Sequence, residues 1–88
     1  MKVEFIPGYY EWNVLVDGDV FYTFGDIIED IPYPLTKDNC EIFAENLVGM
    51  MEVDLQTREK IVEYDPFIPI LLLESIKTEI WNRYAGVA

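Results

Sequence analysis

The dipeptide Asp17-Gly18 lies between "EWNVLV" and "DVFYTF", two runs rich in β-branched and aromatic residues. Asp-Gly supplies the positive φ angles of a two-residue type I′ turn, so the flanking runs are set to pair as an antiparallel hairpin. Such a turn puts Leu15 opposite Val20, Val14 opposite Phe21 and Trp12 opposite Thr23. The stronger apolar face then carries Trp12, Val14, Val16 and Phe21, but Leu15, Val20, Tyr22 and Phe24 make the second face apolar as well. Alternation alone therefore specifies the register weakly. "KVEFI" at 2–6 also alternates and runs into Pro7-Gly8, a pair suited to a type II turn, which adds a first strand and makes a three-stranded antiparallel meander.

Beyond the meander the hydrophobic period changes. Asp26 and Glu29 have the spacing of a capping box, while Pro32 and Pro34 limit the segment to one helical turn and an extended connector. From Asp38 onward Cys40, Phe43, Ala44, Leu47, Val48 and Met51 recur at helical spacing, with Asp38, Glu41 and Glu45 on the other side. In "VDLQTREKIVEYDP", Leu55, Arg58, Ile61 and Val62 favour a helix capped by Asp54, the alternative being a hairpin opened by Val53 and Leu55. The last segment predicts a helix capped by Asp65, with Pro66 at its first position, Leu72, Leu73, Ile76, Ile80, Trp81 and Tyr84 as anchors, and Gly86 as its stop. The expected fold is α+β: a three-stranded meander followed by two to three helices packed on it, forming one domain over residues 1–88.

An 88-residue domain buries only about 60 to 65% of the surface its unfolded chain exposes, so its core must be efficient. Apolar residues make up 51% of the chain, which supports a packed core despite a net charge of −11. The lone Cys40 has no internal disulfide partner, and "MKVEFIPGYY" lacks the apolar stretch of a secretory signal, so a cytoplasmic location is expected. The longest apolar run, Phe67 to Leu73, contains Pro69 and falls far short of the ~20 residues that cross a bilayer. Neither a membrane partner nor a bound cofactor is expected.

The chain contains no histidine, which removes the usual general base and the Ser/His or Cys/His nucleophile pairs. Its single serine, Ser75, falls inside the last predicted helix without a GxSxG context, and Cys40 lies on an apolar face where acidic neighbours are expected to raise its thiol pKa. The Asp17/Asp19 pair is explained by turn chemistry. Gly18 comes too early for a calcium loop, and no Glu closes twelve residues. Carboxylates acting alone as acid and base need a cleft, for which so small a domain has little room. A non-enzyme is expected.

Six basic residues against seventeen acidic ones, spread along the whole chain, oppose direct binding to nucleic acid and favour a basic partner. Glu41 with Glu45, and Glu59 with Glu63, are i,i+4 like-charge pairs about 6 Å apart, which weaken helices by a few tenths of a kcal/mol. Stability does not ask for them, but carboxylate rows at that pitch can imitate a nucleic-acid backbone, and a solvated surface is the plainer explanation. In size and composition the chain resembles the small acidic proteins of phages and mobile elements that block DNA-handling host enzymes, including anti-restriction and anti-CRISPR inhibitors. The resemblance is one of composition and transfers no functional residue.

The expected function is accordingly a DNA-mimic-like inhibitor that occupies the basic, nucleic-acid-binding surface of a partner protein. Its contact carboxylates are expected at Asp26, Glu29 and Asp30, at Asp38, Glu41 and Glu45, and at Glu59, Glu63 and Asp65. The alternative is an accessory subunit that docks through aromatics such as Tyr9, Tyr10, Tyr33 and Phe67. Four consecutive apolar residues, Ile70 to Leu73, span about 300° of a helix, more than one sheet can cover, so a homodimer with the last helix near its two-fold axis is also expected.

Overall fold

The computed structural model describes residues 1–57 and 64–85. Strands β1 (Val3–Pro7), β2 (Trp12–Val16) and β3 (Asp19–Phe24) form one antiparallel sheet in the order β1-β2-β3. A 3-10 turn (Ile28–Asp30) leads to helix α1 (Lys37–Thr57), and helix α2 (Phe67–Tyr84) follows. The meander-then-helices architecture is as expected, with two α-helices among the described residues. At the hairpin, Asp17 (φ 50°) and Gly18 (φ 88°) both occupy the left-handed region that the turn demands. The Asp17 carboxylate accepts the Lys2 backbone N–H at 2.8 Å, and the Asp17 N–H donates to the Lys2 carbonyl at 2.8 Å, tying the turn to the start of the chain.

The register departs from the expected one. Leu15 does pair with Val20, but Val14 faces Tyr22 and Trp12 faces Phe24, because a bulge between Val14 and Leu15 leaves Phe21 as an extra residue on β3. The cause lies in "DVFYTF", which carries more large apolar side chains than one face of an alternating strand can hold. The bulge lets Phe21, Tyr22 and Phe24 all pack against the core, leaving Val20 exposed. Phe5 stacks on Trp12 with ring centroids 4.7 Å apart and meets Phe24 edge-on at 6.0 Å, while Phe21 meets Tyr64 at 5.8 Å.

In the connector, Asp26 and Glu29 do not form a capping box. The Asp26 carboxylate accepts the Ile28 N–H at 3.0 Å, two residues on, and the residue that caps the 3-10 turn is Ile27, whose buried side chain pins the segment to the core. Helix α1 begins instead with a reciprocal pair: the Asn39 N–H donates to Thr36 Oγ1 at 3.2 Å, and the Thr36 N–H donates to Asn39 Oδ1 at 2.7 Å. Cys40, Phe43, Ala44, Leu47, Val48 and Met51 are buried as their spacing implies. The helix then runs unbroken through Asp54 to Thr57, so neither a new helix capped by Asp54 nor a hairpin strand at Val53 and Leu55 forms. Leu55 extends the same buried stripe one turn past Met51, and the Asp54 carboxylate accepts the Tyr22 hydroxyl at 2.8 Å rather than capping a helix. Arg58, Ile61 and Val62 lie outside the described residues.

Helix α2 starts as its sequence implies. The Asp65 carboxylate accepts the Phe67 N–H at 2.9 Å, and Pro66 is already helical at φ −64°. Leu72, Ile76 and Ile80 are completely buried, Ile68 nearly so, and Leu73, Trp81 and Tyr84 pack at the margin of the core. The helix packs against both β1 and α1, and the Ser75 hydroxyl donates to the Val3 carbonyl at 2.8 Å. Its last turn closes with the Ala85 N–H bonded to the Trp81 carbonyl; Gly86 is outside the described residues. Replacing Leu72 with Ala should cost about 2–5 kcal/mol through the cavity it leaves, whereas Thr36→Ala, which removes one cap, should cost about 1 kcal/mol. Urea denaturation of both variants measures the difference, and equal losses would contradict this assignment of core and cap.

Candidate partner-binding surface

Helix α1 turns its apolar stripe inward, which sets its polar residues on the outside. Each residue advances roughly 100° around the axis, and a seven-residue step returns to within about 20° of its start. Asp38, Glu45 and Glu52 stand seven residues apart, with Glu41 between the first two, so all four carboxylates fall within an arc of about 60°. They form a stripe roughly 21 Å long. Asp38, Glu41 and Glu45 are exposed, and Glu52 is half-buried. Glu52 is the member that grouping carboxylates as i,i+4 neighbours misses; the seven-residue repeat from Asp38 is the signal that finds it.

The cations do not neutralise this stripe evenly. Lys77 lies between Glu74 at 3.3 Å and Glu41 at 3.7 Å, so of the four only Glu41 has an ion pair. Lys37 sits 4.7 Å over the Trp81 ring, Arg83 reaches Glu79 at 3.3 Å and lies 5.6 Å over Trp12, and Lys2 is 3.9 Å from Glu4. All four described basic side chains are thus engaged within the fold. The carboxylates of Asp38, Glu45 and Glu52, together with those of Glu29 and Asp30 on the connector, make neither an ion pair nor a hydrogen bond among the described residues.

The other expected contact residues are placed differently. Asp26 and Asp65 serve local turns through their bonds to Ile28 and Phe67, and Glu59 and Glu63 fall outside the described residues. Asp17 is a turn residue and Asp19 opens β3. Among the described residues no cluster of His, Cys, Asp and Glu is arranged to hold a metal ion, no charged or polar side chain is buried, and no helix is long and apolar enough to cross a membrane.

Cys40 is buried, and its thiol lies 3.7 Å from the Lys77 carbonyl. Burial pushes the thiol pKa up, while Lys77 and Lys37 pull against it. The expectation that acidic neighbours raise it is therefore wrong in cause: the charges that act on it, Lys77 and Lys37, are cationic, and desolvation outweighs them. The Lys77 ammonium is also held above its usual range, chiefly by its hydrogen bond to Glu74.

For both groups the folded protein binds the proton more tightly than the unfolded chain does. Their stabilisation is present below the unfolded pKa and is lost as pH rises through the folded one, which places the loss above about pH 8.5 for the thiol and above about 10.4 for the amine. Thermal melts of the wild type and Cys40→Ala across pH 8 to 11 should show a shallower decline for the variant once the pH exceeds about 8.5. Identical slopes throughout would show that the thiol is not desolvated. Comparison of the whole chain with protein-family models, with curated proteins and with solved structures finds no match.

Proposed function

We propose that this chain is a small non-enzymatic interaction protein that occupies the basic, nucleic-acid-binding surface of a partner protein, in the manner of an inhibitor standing in for the nucleic acid. The observation that supports this reading is the stripe of Asp38, Glu45 and Glu52 on the outside of α1, none of whose carboxylates has an ion pair with a described basic side chain. Glu41 lies in the same arc and shares Lys77 with Glu74, and Glu29 and Asp30 are further exposed carboxylates on the connector. Carboxylates held on a rigid helix meet a basic surface without the ordering cost that a disordered acidic tail would carry.

Capture from a cell lysate on the immobilised chain at low salt should yield a basic or nucleic-acid-binding protein that elutes as salt rises. The triple neutralisation Asp38→Asn, Glu45→Gln and Glu52→Gln should weaken capture by about tenfold or more, in line with the loss of several close charge pairs. DNA should compete with the chain for the captured protein. Capture that neither salt nor the triple variant weakens would refute the proposal.

A second reading is favoured by the exposed apolar start of α2, where Phe67 and Ile70 are 62% and 59% exposed and Leu71 is 37% exposed. Tyr9, Tyr10 and Tyr33 are exposed as well. On this reading the chain is an accessory subunit or a homodimer paired through α2, with the two-fold axis near Ile70 and Leu71. Two copies at −11 each repel, so pairing should strengthen with salt, the opposite trend from binding to a basic partner. Sedimentation equilibrium at low and high salt decides it: a monomer at tens of micromolar in both conditions rules the dimer out.

A further inference from the structure

Beside the carboxylate stripe, α1 exposes a second line of residues. Ile42, Asn46, Gly49 and Val53 follow one another at i, i+4, i+7 and i+11, within an arc of about 60°, and Met50 lies at their edge. Ile42, Met50 and Val53 are 57%, 59% and 60% exposed. This face points away from the buried stripe of the same helix. Gly49 sits in this line, on the side nearer the carboxylates, with open space around the position a Cβ would take. Glycine inside a helix is disfavoured relative to alanine, and nothing in this fold crowds the site, so neither packing nor backbone geometry accounts for it. Toward the C-terminal end of the line, Gly49, Met50, Val53, Asp54 and Thr57 line an open groove of about 570 Å³ together with Tyr22 of β3.

The geometry points to this face of α1 as the seat of an amphipathic helix from a protein partner, apolar along its contact line and basic along one flank. The exposed line from Ile42 to Val53 is roughly 16 Å long, about three turns, which matches a helix laid along it and not a single side chain. Gly49 leaves a shallow place where the incoming helix can approach closely, and Met50 offers an adaptable side chain at the border. The charge of the occupant follows from the adjacent stripe. Asp38, Glu45 and Glu52 run parallel to the apolar line about 60–80° around the helix, so a partner seated on the line presents one flank to three carboxylates without ion pairs. A second copy of this chain does not fit that flank. The only cation of α1 is Lys37, which lies over Trp81, and a copy would bring carboxylates against carboxylates.

This inference rests on the reading of the chain as a binder of a basic partner, and it adds an apolar contact line and a helical occupant. It is tested with three fluorescent probes: an 18-residue leucine/lysine peptide patterned as an amphipathic helix, a scrambled peptide of the same composition, and oligolysine. Anisotropy should show the patterned peptide binding at least about tenfold more tightly than the scrambled one. Ile42→Ser, Met50→Ser and Val53→Ser combined should remove most of that advantage while leaving oligolysine binding unchanged. Gly49→Gln, at an open helical position, should keep or raise the urea midpoint and still weaken the patterned peptide several-fold, which separates loss of the seat from loss of the fold.

Equal binding of the patterned and scrambled peptides, or wild-type affinity in both variants, overturns the inference and leaves the charge-based reading standing. Failure of all three probes to bind at low salt overturns both.

Discussion

The close packing of α2 against β1 and α1 together is the constraint on which the rest of the structure depends. Leu72, Ile76 and Ile80 are entirely removed from water, and the Ser75 hydroxyl fixes their height on the sheet through the Val3 carbonyl. A sheet of three short strands has little independent stability, so a helix on one of its faces is what completes the core. Because α2 packs on β1, and α1 packs in turn on α2, α1 uses one side for the core and has its other side free. The carboxylate stripe and the exposed apolar line are both consequences of that layering.

The bulge in β3 adjusts the sheet to the same core. With a regular ladder, Phe21 and Tyr22 would point to opposite faces, and one of two large rings would be placed in solvent. The extra residue at Phe21 lets one ring meet Tyr64 just before α2 and the other reach Asp54 on α1. One irregularity in an edge strand thereby contacts the segments that carry both helices. It also disturbs the free edge of the sheet, where a regular ladder would invite pairing with another chain.

How much of this is legible in the sequence depends on whether a feature is local. The Asp17-Gly18 turn, the buried stripe of α1 and the Asp65-Pro66 start of α2 all follow from backbone preferences or from a single period, and all are found where those rules put them. The register is not legible because the bulge answers a packing demand set by residues distant in sequence, Asp54 on α1 and Tyr64 just before α2. Asp54 reads as a cap because an acid before an apolar residue usually marks a helix start; its actual partner, Tyr22, is distant in the chain. The real cap, Thr36 with Asn39, is obscured because Asn replaces the Glu or Gln expected at the third position. Among the acidic residues, proximity in sequence picks out Asp26 and Asp65, which serve turns, and passes over Glu52, which joins Asp38 and Glu45 only through the seven-residue repeat.

An acidic stripe can persist on α1 because the helix does not depend on its surface for stability. In an isolated helix of this length, like charges three to seven residues apart and a central glycine would subtract from a marginal balance. Here seven buried residues, Cys40, Phe43, Ala44, Leu47, Val48, Met51 and Leu55, hold the helix against the core. Burying a single Leu or Phe side chain contributes about 1.5–3 kcal/mol, several times the few tenths lost to one like-charge pair. The inner face therefore determines that α1 exists and where it lies, and the outer face can take any chemistry that keeps the chain soluble. A surface needing only solubility would intersperse both signs of charge and few large apolar side chains. The outer face of α1 instead sets unpaired carboxylates of one sign beside exposed Ile42, Met50 and Val53, a separation that folding does not require and that recognition of a partner can use.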